Sequence, residues 1–244
     1  MGGRTERMIR RFARTFSLLV NLGLFALAVA AALPGTHRVI FPASYGMIEV
    51  SDRVWTDAPA RASELRSLAN QARNRVRSFF GDEPPRPTLI LCTTRACARN
   101  FGIGGNGLSI ADMVVMVSPG GLTLGTLTHE MTHSRLHRNM GPRNIVAQPF
   151  PTWFDEGLAT HVASHPNWQG AITPAARDRV LEVDHFWQWD TAYRELGVGR
   201  AYAAAAAEVA SIEARVGRDG LLELIARADG GESFDTVLVE LLTR

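Results

Sequence analysis

Residues 16–33 carry no charge and are dense in Leu, Ala and Val. As a helix they would rise about 27 Å, close to the hydrocarbon thickness of a bilayer. Residues 35–46 contain Pro42 and Gly46 and read as a linker. Residues 47–55 carry Ile48, Val50 and Val54 and predict a first strand. Over residues 59–80, Leu65, Leu68, Ala69, Ala72, Val76 and Phe79 recur at helical spacing, with arginines on the other faces. Gly81-Asp82-Glu83-Pro84-Pro85 ends that helix. Residues 88–92 are continuously apolar, as expected of a strand covered on both faces. The glycine-rich residues 101–107 read as a turn-rich rim, and residues 109–117 as another strand.

A helix is predicted over 122–139, stopped by Met140-Gly141-Pro142, and Pro151 is suited to opening the next one. The rest reads as helices at about 174–183, 190–196, 200–216, 219–228 and 233–242, with Gly217, Gly220, Gly230 and Gly231 between them. This pattern predicts an α+β fold. A small mixed sheet should pack on the 122–139 helix, an all-helical C-terminal part should follow, and an N-terminal hydrophobic helix should precede both. The implied division is 1–34, an Arg-rich segment with its apolar run; 35–46, a linker; and 47–244, one domain.

Charge adds a direction to that layout. All 26 basic residues are Arg. Arg4, Arg7, Arg10, Arg11 and Arg14 stand before the apolar run against Glu6 alone, whereas the remainder is slightly acidic. A basic cluster ahead of an apolar helix stays in the cytoplasm, which puts the domain outside, periplasmic or extracellular. Ala28-Val29-Ala30 and Ala30-Ala31-Ala32 also have the form of cleavage sites, so a membrane anchor and a removed signal peptide, with secretion, are both open. The charge pattern lacks the basic footprint of a nucleic-acid binder. Cys92 and Cys97 are the only cysteines, and in an exported domain an even pair favours a disulfide over two free thiols.

The candidate chemistry lies in His129-Glu130-Met131-Thr132-His133, with Glu156 following in Trp153-Phe154-Asp155-Glu156-Gly157-Leu158-Ala159. Residues four apart share a helix face, so His129 and His133 can offer two imidazoles to one ion. Glu130 lies about 100° round the helix, within reach of a water but outside the ligand set. Two imidazoles, one carboxylate and one open position are the ligands of a catalytic zinc site, here a single Zn²⁺. Apolar Leu124, Leu127 and Met131 predict that this helix is partly buried.

The two motifs together resemble the gluzincin metallopeptidases, the branch with thermolysin and the zinc aminopeptidases, and most of all their small peptidase MA-like domains. The resemblance spans residue 47 to the C-terminus and is strongest over 128–161. It implies a thermolysin-like catalytic core, with the third zinc ligand in a W-x-x-E-G-[LF]-A helix, which here falls on Glu156. It extends to Tyr202, Gly217 and Gly231-Glu232-Ser233-Phe234 near the end. The further histidine motif of metzincins is missing, as is the exopeptidase motif of the zinc aminopeptidases.

The resemblance implies zinc-dependent hydrolysis of a peptide or protein substrate, as a probable endopeptidase. Glu130 would act as the general base. It makes Tyr202 the candidate oxyanion donor, against a packing role for that ring, with Tyr193 as fallback. Asp155 is expected either to accept an imidazole N–H or simply to favour the start of its helix. Strand 109–117 could offer its edge to an extended peptide. His137 continues the face of His129 and His133 but is expected to cap the end of its helix, His161 and His165 to pack or line the cleft, and His185 to contact substrate or to sit in an aromatic cluster that is core or a membrane-facing patch. The alternative from another class is a catalytically silent zinc-binding scaffold or peptide-binding protein; hydrolysis of a non-peptide amide is a third. Oligomeric state is not legible.

Overall fold

The computed structural model describes residues 36–83, 86–140, 147–164 and 172–244. The Arg-rich and apolar segment, 1–34, lies outside them. No helix among the described residues is long and apolar enough to cross a membrane. Residues 36–45, expected as a linker, instead form helix α1 (Thr36–Ile40) and a 3-10 turn (Pro42–Tyr45). Tyr45 packs edge-on to His37 and Phe101, which ties this stretch to the domain.

The fold is α+β, a small five-stranded sheet with helices making up most of the remainder. The strands are β1 (Ile48–Ser51), β2 (Val54–Thr56), β3 (Thr88–Leu91), β4 (Gly107–Ile110) and β5 (Val114–Val117), in the order β1-β2-β3-β5-β4. The inner pairs β2–β3 and β3–β5 are parallel, and the outer pairs β1–β2 and β4–β5 are antiparallel. Two expected single strands are therefore hairpins. Residues 47–55 fold back at Arg53 and residues 109–117 at Ala111, both with positive φ (59° and 48°). Neither position carries the Gly or Asn that normally announces such a turn. As a result β5 is internal and β4 is the edge.

Alternation along the strands feeds two cores. Val54, Leu89, Leu91, Val115 and Val117 face a large core shared with the helices. Ile90, Val114 and Met116 face a smaller one closed by Met47, Cys92, Cys97, Ala98, Phe101 and Ile103. Both faces of β3 are covered, which accounts for its unbroken apolar sequence. Cys92 and Cys97 are joined in a disulfide between the end of β3 and helix α3 (Arg95–Asn100).

Helix α2 (Ala62–Phe80) buries Leu65, Ala69, Ala72, Val76 and Phe79, the expected stripe, and ends at Gly81 with φ 73°. It packs on α4 (Leu124–Leu136), which also meets β4, β5 and α5 (Thr152–Ala163). Helices α6 (Pro174–Leu181), α7 (Phe186–Leu196), α8 (Val198–Asp229) and α9 (Phe234–Thr243) complete the C-terminal half. Gly217 (φ 75°) breaks α8, where two helices were expected. Helix α7 begins earlier than the pattern indicates. Gln188 accepts the His185 N–H and Gln148 the Phe186 N–H, satisfying donors that a helix start leaves open.

Candidate metal centre

Thr123 accepts the Thr126 N–H and so opens α4, a helix with almost no exposed face. Thr132 tolerates burial by donating its hydroxyl to the Thr128 carbonyl, whereas the Thr128 and Ser134 hydroxyls are buried without a hydrogen-bond partner among the described residues. Burial of this helix exceeds the partial burial expected, and it leaves His129 and His133 little freedom. Their rings meet edge-on, with the two Nε2 atoms 3.0 Å apart.

Helix α5 brings the carboxylates. Pro151 sets its start, and the Thr152 and Trp153 N–H groups donate to the Asp184 and Val183 carbonyls beyond α6. Trp153 and Phe154 pack on Phe234 in the core. Gly157 lies against the backbone of α8: a β-carbon there would stand 2.6 Å from the Ala205 carbonyl oxygen. The glycine after Glu156 is thus what lets α5 approach α8, on which Tyr202 lies. The Ala-rich run 203–207 supplies the matching small face.

Glu156 Oε2 lies 3.3 Å from His129 Nε2 and 3.5 Å from His133 Nε2. It is buried, and neither approach has the geometry of a hydrogen bond. Two ring nitrogens and a carboxylate oxygen facing one another repel unless a proton or a metal ion lies between them, and a group of this kind can hold a metal ion. The donor set therefore fits a metal. Asp155, next in line, receives His133 Nδ1–H at Oδ1 (2.9 Å) and His137 Nε2–H at Oδ2 (2.7 Å), since an ionised carboxylate only accepts.

The three potential ligands sit at the floor of a cavity of about 740 Å³. Glu130, Tyr202, Asp155 and His137 also line it, with β4 along one side and Phe186 at the rim. Glu130 is only 8% exposed, and its carboxyl rests against the bare α-carbon of Gly107. Tyr202 stands edge-on to His129, centroids 5.6 Å apart.

Neither family models, nor curated proteins, nor solved structures show a match to this chain. Its chemistry must be read from the site itself.

Burial and neighbouring charges oppose one another across that site, and each wins at some groups. Burial pushes His129 down to about 4, which keeps the imidazole neutral and its lone pair available. It pushes Glu130 up to about 7. Burial also acts against His133, but the Asp155 and Glu156 carboxylates outweigh it and raise that imidazole. For Asp155 burial is outweighed by His137 and His133, which hold it well below the usual carboxylate range. Glu156 falls to about 2: burial opposes the shift, and His133 and His129 drive it. Tyr202 is raised, chiefly by burial, so its hydroxyl keeps its proton.

The structure thus brings together His129, His133, Glu156, Glu130, Asp155 and Tyr202. Tyr193, the fallback donor, instead donates to Asp190 and does not line the cavity. His161 bonds Glu213 at 2.6 Å and packs on Phe79, away from the cleft. His165 lies outside the described residues. His185 stacks on Trp187; Trp187 and Phe186 are exposed, and Trp189 of the same cluster is buried in the core. Cys92 and Cys97 are not among the cavity residues.

Sequence reasoning missed two contributors. His137, expected to act only as a cap, does end α4 through its backbone N–H, but its side chain turns back to Asp155. Its signal was present as a third histidine at the same four-residue spacing. Gly107 was read only as part of a loop, and nothing in one sequence marks it as the seat of Glu130.

Proposed function

We propose that this chain is a zinc-dependent peptide hydrolase of gluzincin type, acting outside the cytoplasm. One observation carries the reading. The Nε2, Nε2 and Oε2 atoms form a triangle with sides of 3.0, 3.3 and 3.5 Å, beside a cleft also lined by Glu130. A tetrahedral zinc ion with bonds of about 2.0–2.1 Å needs donors about 3.3–3.4 Å apart, 1.63 times the bond length. When bound, zinc supplies Lewis acidity and eases the ionisation of water.

The chain's own residues do the rest. Glu130, with a carboxyl poised near neutrality, takes the proton of the attacking water and delivers it to the departing amine. Tyr202 keeps its proton and serves as a hydrogen-bond donor to the developing oxyanion. Asp155 holds His133 in the tautomer whose Nε2 faces the metal. Strand β4, paired on one side only among the described residues, leaves its outer edge for an extended peptide. The disulfide suits an oxidising compartment. Residues 1–34 are the membrane anchor in this proposal, with secretion after signal cleavage as the alternative.

The decisive experiment replaces Glu130→Gln in the zinc-loaded protein. Zinc content and melting temperature should hold, while cleavage of a quenched-fluorescent peptide library falls by about 10²–10⁴. Undiminished turnover would refute the role of Glu130. Zinc-loaded wild type that cleaves nothing in such a library would favour a metal-holding, peptide-binding scaffold.

A further inference from the structure

We propose that His137 is a positioning residue for the metal centre, fixing the Asp155 carboxylate so that His133 presents its Nε2 lone pair to the ion. The inference rests on the zinc reading above and deepens it, because it concerns what prepares the ligand rather than the ligand itself.

The argument begins with the two oxygens of Asp155. Oδ1 receives His133 Nδ1–H at 2.9 Å, and Oδ2 receives His137 Nε2–H at 2.7 Å. One anchor would leave the carboxylate free to turn about its Cβ–Cγ bond. Two anchors on different oxygens fix its plane, and with it the direction in which the His133 ring must donate. A His133 that loses this acceptor can carry its proton on Nε2, the atom that faces His129 and Glu156, and that tautomer cannot bind a metal.

Position on the fold supports the assignment. His137 stands one helical turn beyond His133, its ring tilted 34° to that of His133 at 5.7 Å. Its Nε2 is committed to Asp155 rather than to the Glu156 side of the triangle. The bond that ends α4 runs from its backbone N–H to the His133 carbonyl at 2.8 Å and survives any side chain. A substitution at 137 therefore separates the positioning role from the capping one.

Two variants of similar bulk provide the test, with zinc affinity read by chelator competition on the full chain. His137→Met fills the space without an N–H, and the zinc Kd should rise about 10–100-fold, the usual effect of losing such a supporting bond. His137→Gln places an amide N–H near the same point, and should stay within about threefold of wild type. Unchanged affinity in both variants overturns the proposal, as does an equal loss in both. Nitrogen NMR of the zinc-loaded wild type gives a check independent of any variant. Protons on His133 Nδ1 and His137 Nε2 are expected, and a His137 protonated only at Nδ1 would sink the idea. A wild type that binds no zinc at all would instead remove the hydrolase reading.

Discussion

Gly107→Ala probes the general base without touching a ligand. A β-carbon built on Gly107 would lie 2.5 Å from Glu130 Oε1, 2.7 Å from its Cγ and 2.8 Å from its Cδ. Ordinary contact begins at 3.4 Å, so the carboxyl must retreat by 0.9 Å (3.4 − 2.5). The strand cannot easily give way instead, because Gly107 pairs with Val117 at the start of the β4–β5 ladder. Displacing a reacting group by about 1 Å costs about 10²-fold in rate, or about 2.7 kcal/mol in the barrier. The backbone at 107 is outside the left-handed region, and the clash is with the end of a flexible side chain. Stability should therefore change by less than about 1 kcal/mol. The assay is kcat/KM on a fluorogenic peptide, with metal analysis and thermal denaturation on the same samples. Wild-type turnover in a folded, zinc-replete Gly107→Ala protein would refute the seating argument. Loss of zinc alongside activity would show that the strand supports the ligands and not Glu130.

Two further outcomes concern the scaffold. Asp57 accepts Thr93 N–H (2.7 Å), Thr93 Oγ1–H (3.0 Å) and Thr94 Oγ1–H (2.7 Å), and although burial opposes them these bonds hold its pKa below the ordinary 3.8. A depressed carboxylate stabilises the fold above its unfolded pKa and loses that contribution as pH falls through the folded value. Asp57→Ala should thus cost about 1–3 kcal/mol at pH 7. Urea titrations should show a smaller gap from wild type at pH 3, and a gap independent of pH would contradict the assignment. Gly157→Ala forces a methyl to within 2.6 Å of the Ala205 carbonyl oxygen, a backbone atom with little room to move. A loss of about 1–3 kcal/mol is expected, together with weaker zinc binding. An unchanged denaturation midpoint would show that α5 and α8 separate easily.

What the sequence made legible was periodic. The apolar stripe of α2, the covered β3 and the four-residue spacing of His129 and His133 each follow from one repeat, and the structure repeats them. The turns at Arg53 and Ala111 were hidden because each adopts positive φ without a residue that favours it. The fold imposes that conformation through the strand pairing on either side. Convergence of Glu156 on the two imidazoles was legible through its motif. An imidazole N–H on Asp155 was one of two readings open for that residue, and the structure shows it; the second histidine on Asp155 and the contact of Gly107 with Glu130 join separate elements.

The close approach of Gly157 to the Ala205 backbone joins the two helices that carry Glu156 and Tyr202 to the cleft. Glu156 and Tyr202 thus ride on directly packed helices, and their separation follows from that packing. The opposite wall is β4, laddered to β5 and packed on α4. Leu108, Ile110 and Met113 face the cleft from that side, so truncating them is expected to widen it without disturbing the packed helices.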